Sequence, residues 1–165
     1  MGAKMKRLVE GFVWRSPPTN RFILGEESEI MKFPVFRDDR HEAFYYRMLA
    51  ERRCTDSYHR ALFYTLGLSK DTRAHIQDLF DFSDGGIKPE GLAASWQTGG
   101  SLRICRLAFN LWNGWSQAGE ERYSTPYELF DCEAAPYFFE AVRLRYPEYA
   151  RQLTPAIRPH AERTR

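Results

Sequence analysis

From Asp38 onward, apolar residues recur at intervals of three and four, the rhythm of helices that bury one face. Asp38 and Asp39 suit a helix N-terminus, and Phe44, Tyr45, Met48 and Leu49 form one stripe behind them, which predicts a first helix over about Asp38 to Arg53. Asp56 or Ser57 caps a second run, with Tyr58, Leu62, Phe63 and Leu66 on its apolar face and Gly67 at its end. Ser69 opens a third, in which Asp71 favours the N-terminus and Ile76, Leu79 and Phe80 give the buried stripe. The spacing predicts helix until near Phe82.

Ser83-Asp84-Gly85-Gly86 and Lys88-Pro89-Glu90-Gly91 then break the pattern, because glycine and proline exclude regular structure there. A short helical turn fits Leu92 to Trp96. The stretch Trp96-Gln97-Thr98-Gly99-Gly100-Ser101 leads into a helix over Leu102 to Asn113, with Ser101 read as its N-cap and Gly99-Gly100 as the turn before it. Leu102, Cys105, Leu107, Ala108, Phe109, Leu111 and Trp112 cover much of its circumference, so it is expected to be central, and Gly114 ends it. Thr125-Pro126-Tyr127-Glu128 is a capping box that starts a short helix through Phe130. Ala135-Pro136 opens the last helix, with Tyr137, Phe138, Ala141, Val142 and Leu144 on its apolar face and Pro147 beyond its end.

These elements predict a mainly α fold: a compact single-domain bundle of five to six helices over residues 38–150. An N-terminal extension over 1–37 precedes it, where Leu8 to Trp14 and Arg21 to Leu24 flank Ser16-Pro17-Pro18-Thr19-Asn20 and permit a β-hairpin arm. A basic tail over 151–165 follows. The chain of 165 residues is long enough to bury one real core.

Composition adds two points. Aromatic residues reach 15%, enough to build both the core and a contact surface from rings. The net charge of +2 is too small to imply nucleic acid by itself, but residues 1–37 hold seven Lys/Arg against four Asp/Glu, and 151–165 hold four Arg against one Glu. Basic ends of this kind permit sequence-independent contact with nucleic acid. Cys54, Cys105 and Cys132 show no Cys-x-x-Cys spacing, so neither a disulfide framework nor a zinc knuckle is indicated, and no cofactor or metal is expected. No run of about 18 apolar residues is present. A cytoplasmic protein with no membrane partner is the expectation.

No Gly-x-Ser-x-Gly, P-loop, His-Glu-x-x-His or dinucleotide fingerprint occurs, which removes most weight from the standard hydrolase, kinase and oxidoreductase classes. The candidate ligand site is Trp96, Gln97, Thr98, Gly99, Gly100 and Ser101 with Arg103 and Arg106, assisted by Arg73 or His75. Amides at a helix N-terminus and two guanidiniums three residues apart can clamp a phosphate or carboxylate, and Trp96 can stack on a ring. Asn110, on a helix suited to burial, either bonds within the protein, with the Gly85-Gly86 loop as one partner, or lines that pocket. A catalytic alternative uses His75 as base and Asp78 as its orienting partner, since Asp71, His75 and Asp78 share one helix face.

Several strings carry a resemblance: Tyr58-His59-Arg60-Ala61-Leu62-Phe63-Tyr64, Asp71-Thr72-Arg73, Ile87-Lys88-Pro89-Glu90, Trp96 to Ser101, Arg106-Leu107-Ala108-Phe109-Asn110-Leu111 and Leu144-Arg145-Tyr146-Pro147-Glu148-Tyr149. Over Met31 to Arg151 the chain resembles a family of small proteins of unknown function from Gram-positive gut bacteria, their integrative elements and phages. The resemblance brings no activity and no catalytic residue. It implies a setting, that of mobile-element accessory proteins that bind and block a host component, as counter-defence and anti-CRISPR inhibitors do.

The sequence thus reads as a non-catalytic binding protein, acting on a host protein or capturing a nucleotide-like anion. The alternatives are a small phosphoester-processing enzyme using His75 and Asp78, and a nucleic-acid-binding accessory protein acting through its basic ends.

Overall fold

The computed structural model describes residues 34–149. Seven helices order them: α1 Asp39–Arg52, α2 Ser57–Leu66, α3 Lys70–Ala74, α4 Ile76–Leu79, α5 Gly99–Asn113, α6 Pro126–Leu129 and α7 Ala135–Arg145. Between α4 and α5 lie β1 Phe80–Asp81 and β2 Gly86–Ile87, antiparallel with Phe80 opposite Ile87 and Asp81 opposite Gly86, followed by a 3-10 turn over Pro89–Ala93. A second 3-10 turn, Glu121–Ser124, precedes α6. The hairpin expected in the N-terminal arm and the basic tail over 151–165 lie outside the described residues.

Local chemistry explains where the first two helices begin and end. The Asp38 carboxylate accepts from the His41 amide at 2.7 Å, and Arg53 closes α1 in the left-handed region at φ 51°, returning its amide to Ala50 and Leu49. Asp56 caps α2 by accepting from the Tyr58 and His59 amides, both at 3.0 Å. At its far end a Cβ on Gly67 would come within 2.6 Å of His41 Cδ2, so a glycine there lets α1 and α2 close together.

From Ala61 to Leu66 every residue of α2 is buried, and this helix packs against α1, α5 and α7. It therefore shares the central position expected for α5. Phe44 and Met48 of α1, Leu62 and Phe63 of α2, Ile104 and Phe109 of α5, and Phe138 and Ala141 of α7 belong to one core. Two buried threonine hydroxyls are paired: Thr65 donates to the Ala61 carbonyl at 2.7 Å, and Thr72 donates to the Leu66 carbonyl at 2.5 Å. Val35 to Arg37, grouped by sequence with the arm, bind to this body. Phe36 packs on His41, Tyr45, Tyr46 and Tyr64, and the Tyr64 hydroxyl donates to the Val35 carbonyl.

The expected third helix is corrected. It breaks at His75 (φ −109°, ψ 30°) into α3 and α4, and at Phe80 the backbone turns extended, at φ −141° and ψ 131°. The extended backbone at Phe80 is set downstream. Asp81 Oδ1 accepts from the Ser83 amide and hydroxyl and from the Asp84 amide at 2.8, 2.5 and 3.2 Å, and Gly85 at φ 73° completes a tight turn. That turn folds β2 back on β1 and carries the fully buried Phe80 into the core. The break accounts for seven helices where five to six were expected.

Candidate functional site

The start of α5 is capped three residues earlier than the sequence suggests. Thr98, not Ser101, is the N-cap. Its Oγ1 accepts from the Ser101 amide at 3.2 Å, while Ser101 Oγ accepts from the Thr98 amide at 2.8 Å. Gly99 and Gly100 are the first helical residues rather than a turn before it. Ser101 is buried and also donates to Gln97 Oε1 at 2.7 Å, and Gln97 Nε2 donates to the Gly91 carbonyl at 3.0 Å. Gln97 and Ser101 are thus spent on architecture. Thr98, Gly99 and Gly100 remain exposed, and the glycine pair brings the helix-start amides to the surface.

Trp96 does not face a ligand position beside α5. Its ring lies flat on His75, 4.5 Å between centroids and 6° between planes. Its Nε1–H donates to Asp78 Oδ2 at 3.1 Å, the same oxygen that His75 Nδ1 meets at 3.1 Å. Close backbone contact holds this trio in place. A Cβ on Gly91 would fall on the Asp78 backbone carbonyl, so glycine lets the Pro89–Ala93 turn lie against α4. The catalytic pair of the alternative reading is therefore formed, but with one face covered by an indole. Among the described residues, the cluster of metal-ligating side chains found elsewhere includes neither His75 nor Asp78.

The two arginines of α5 separate in role. Arg103 Nε donates to the Glu128 carbonyl at 2.8 Å and its Nη2 stands 3.8 Å from Asp131, which ties α6 to α5. Arg106 has 14% of its side chain exposed and lies 4.7 Å from the centre of the Tyr123 ring. Its contact with Glu120 is long, 3.4 Å from Nη2, and its buried Nε has no hydrogen-bond partner. Arg73 is committed elsewhere, donating from Nη1 to the Gly67 carbonyl at 2.5 Å; burial lowers its pKa. Asn110 bonds within the protein, to the Trp115 carbonyl at 3.4 Å rather than to the Gly85-Gly86 loop.

Two adjoining grooves meet at Leu102 and Arg106. The larger, about 450 Å³, is bounded by Leu92, Ala93, Leu102, Trp115 and Glu120 as well as Arg106. The smaller, about 140 Å³, lies at the start of α5 among Gly99, Arg103, Arg106, Tyr123 and Glu128. Trp115 is fixed in this wall: its amide donates to Asn113 Oδ1 at 3.1 Å and its ring meets Phe109 edge-on at 5.6 Å. Of the expected ligand residues, Gly99, Arg103 and Arg106 come together here, and Trp96, Gln97, Ser101, Asn110 and Arg73 do not. Trp115, Tyr123 and Glu120 escaped the sequence reading because they arrive through the polar loop after α5, which carries no periodic signal. The one hint was a tryptophan directly after Gly114.

None of the described helices is long and apolar enough to cross a membrane. No curated protein and no solved structure matches the chain significantly. A family of unknown function, DUF6075, matches residues 31–157, a span that contains all the residues described above. The chain belongs to that family.

Proposed function

We propose that this chain is a non-catalytic binding protein that captures a nucleotide-like anion in the paired grooves beside α5. The observation that carries the reading is Arg106, which lines both grooves and whose buried Nε–H lacks a partner. An unsatisfied guanidinium N–H in a largely buried position is costly, and a ligand oxygen removes that cost. The anionic end belongs in the smaller groove, near the Gly99 amide, Arg103 and the Arg106 fork. A planar ring belongs in the larger one, against Trp115 and Leu102. Its volume of about 450 Å³ falls in the range of small-molecule sites.

Glu90 and Glu120 border the larger groove, so the site favours a single phosphate or carboxylate over a polyphosphate. In a mobile-element setting such a protein would act by removing a small anionic compound on which a host component depends. Titration calorimetry with adenosine monophosphate, adenosine triphosphate and inorganic phosphate tests this. One-site binding that is strongest for the monophosphate and abolished by Arg106→Ala is expected. Silence of both proteins toward all three ligands contradicts anion capture and leaves docking on a host protein as the reading.

A further inference from the structure

The turn between α1 and α2 gathers a different donor set. Cys54 follows Arg53, the left-handed residue that ends α1; Asp56 caps α2, and His59 stands on its first turn. One ligand atom from each of the three lies within 4.8 Å of the other two. Asp56 Oδ1 is held by the Tyr58 and His59 amides, which orients the carboxylate and leaves Oδ2 facing His59 Nδ1 at 2.7 Å. The other imidazole nitrogen, Nε2, is buried without a hydrogen-bond partner, and the ring packs on Trp112 at 4.8 Å with Phe63 and Phe80 around it.

We propose that Cys54, Asp56 and His59 bind a zinc-class divalent transition-metal ion, with a fourth coordination position left to water. A thiolate, a carboxylate and an imidazole form the donor set of a borderline-soft ion, and sulfur excludes the hard cations magnesium and calcium. At ordinary zinc bond lengths, ligand atoms around a tetrahedral ion stand about 3.3 to 3.6 Å apart. The site needs only a small opening between imidazole and carboxylate and a small approach of the sulfur. Two anionic ligands neutralise the ion beside an aromatic wall. Binding expels the Cys54 proton to solvent, and the ligating His59 nitrogen is the one without a proton. A capping aspartate with a histidine three residues on is an ordinary helix start; the sulfur within reach is what separates this turn from one.

Cobalt(II) is the probe, because a thiolate bound to it gives a charge-transfer band in the near ultraviolet. The full chain, stripped of metal, is titrated with cobalt and then challenged with zinc. The expected result is one equivalent bound, a thiolate band displaced by zinc, and a rise in Tm on zinc addition. Cys54→Ser removes the band and the rise, and Cys132→Ser keeps both. Asp56→Asn retains the helix cap but weakens cobalt binding tenfold or more. No band in the wild-type protein overturns the proposal, as does a band that follows Cys132 or persists in Cys54→Ser. Far-UV circular dichroism reports whether each variant is folded. If Cys54→Ser is not, the wild-type titration and Asp56→Asn decide, and an unchanged affinity in Asp56→Asn overturns the three-ligand site.

Discussion

The His75 imidazole is stacked on the Trp96 indole, 4.5 Å apart and within 6° of parallel, and both rings bond to one oxygen of Asp78. A tryptophan held this way is not free to stack on a ligand. Trp115, on the wall of the larger groove, takes that part. Trp96→Leu is expected to leave nucleotide affinity within about twofold, whereas Trp115→Leu weakens it about tenfold or more, the scale of one lost ring-on-base contact. Calorimetry on the two variants checks this, and a larger loss from Trp96→Leu would return the site to the loop before α5.

His41 makes stability depend on pH. It is fully buried; Nε2 meets the Tyr64 carbonyl at 2.7 Å, and Nδ1 accepts from the Arg37 amide at 3.2 Å. Burial lowers its pKa from 6.5 to about 4, against the opposing pull of Tyr64 and Asp38. Below pH 6.5 the unfolded chain takes up a proton that the folded chain refuses. The stabilisation is therefore whole above that pH and is lost as the pH falls towards 4, amounting to about 3 kcal/mol. Urea unfolding at pH 7.5 and 4.5 should show the drop in wild type and a much smaller one in His41→Gln, which keeps a donor for Tyr64. Equal drops in the two proteins would contradict it.

Gly91 and Gly67 mark two close approaches. A methyl at Gly91 meets the Asp78 backbone carbonyl, which cannot move aside without shifting α4, while at Gly67 it meets the His41 and Phe44 side chains. Each alanine variant is expected to destabilise the fold by about 1 to 3 kcal/mol, as overpacking does. Gly91→Ala should in addition weaken ligand binding, because Leu92 and Ala93 on the same turn wall the groove. Thermal unfolding with calorimetry separates the two effects. Full stability of Gly91→Ala would show that the turn does not need this contact.

Thr98 carries the cap of α5. Thr98→Ala should cost about 1 kcal/mol, and Thr98→Asp should recover it while adding a carboxylate at the start of α5, next to Gly99 of the smaller groove, which lowers affinity for an anion. Urea unfolding and calorimetry on both variants test this, and an Asp variant that binds as well as wild type would place the anion elsewhere.

These residues also show how much was readable in one dimension. α1 and α2 were legible because Asp38, Asp56 and Gly67 are strong local signals on either side of a regular apolar stripe. The cap of α5 slipped by three because Thr98 and Ser101 are both good caps and form one reciprocal pair. The break at His75 left no trace, since Thr72, Ile76 and Leu79 keep helical spacing straight through it. The turn that ends the pattern is written later, in Asp81 to Gly85. For the site, Gly99, Arg103 and Arg106 were legible as amides and guanidiniums at one helix start. Their partners Trp115, Glu120 and Tyr123 were not, because only the return of the chain after Gly114 brings them back to α5. Cys54-x-Asp56-x-x-His59 lay in the sequence but matches none of the usual zinc spacings.

The most direct measurement is a ¹H–¹⁵N spectrum that includes the arginine Nε–H and tryptophan Nε1–H signals, recorded while adenosine monophosphate is added. If the ligand lies in the paired grooves, the Arg106 Nε–H and Trp115 Nε1–H signals shift together and saturate, while the Trp96 Nε1–H signal stays in place. Shifts confined to Trp96, or an Arg106 signal that never moves, would contradict the account.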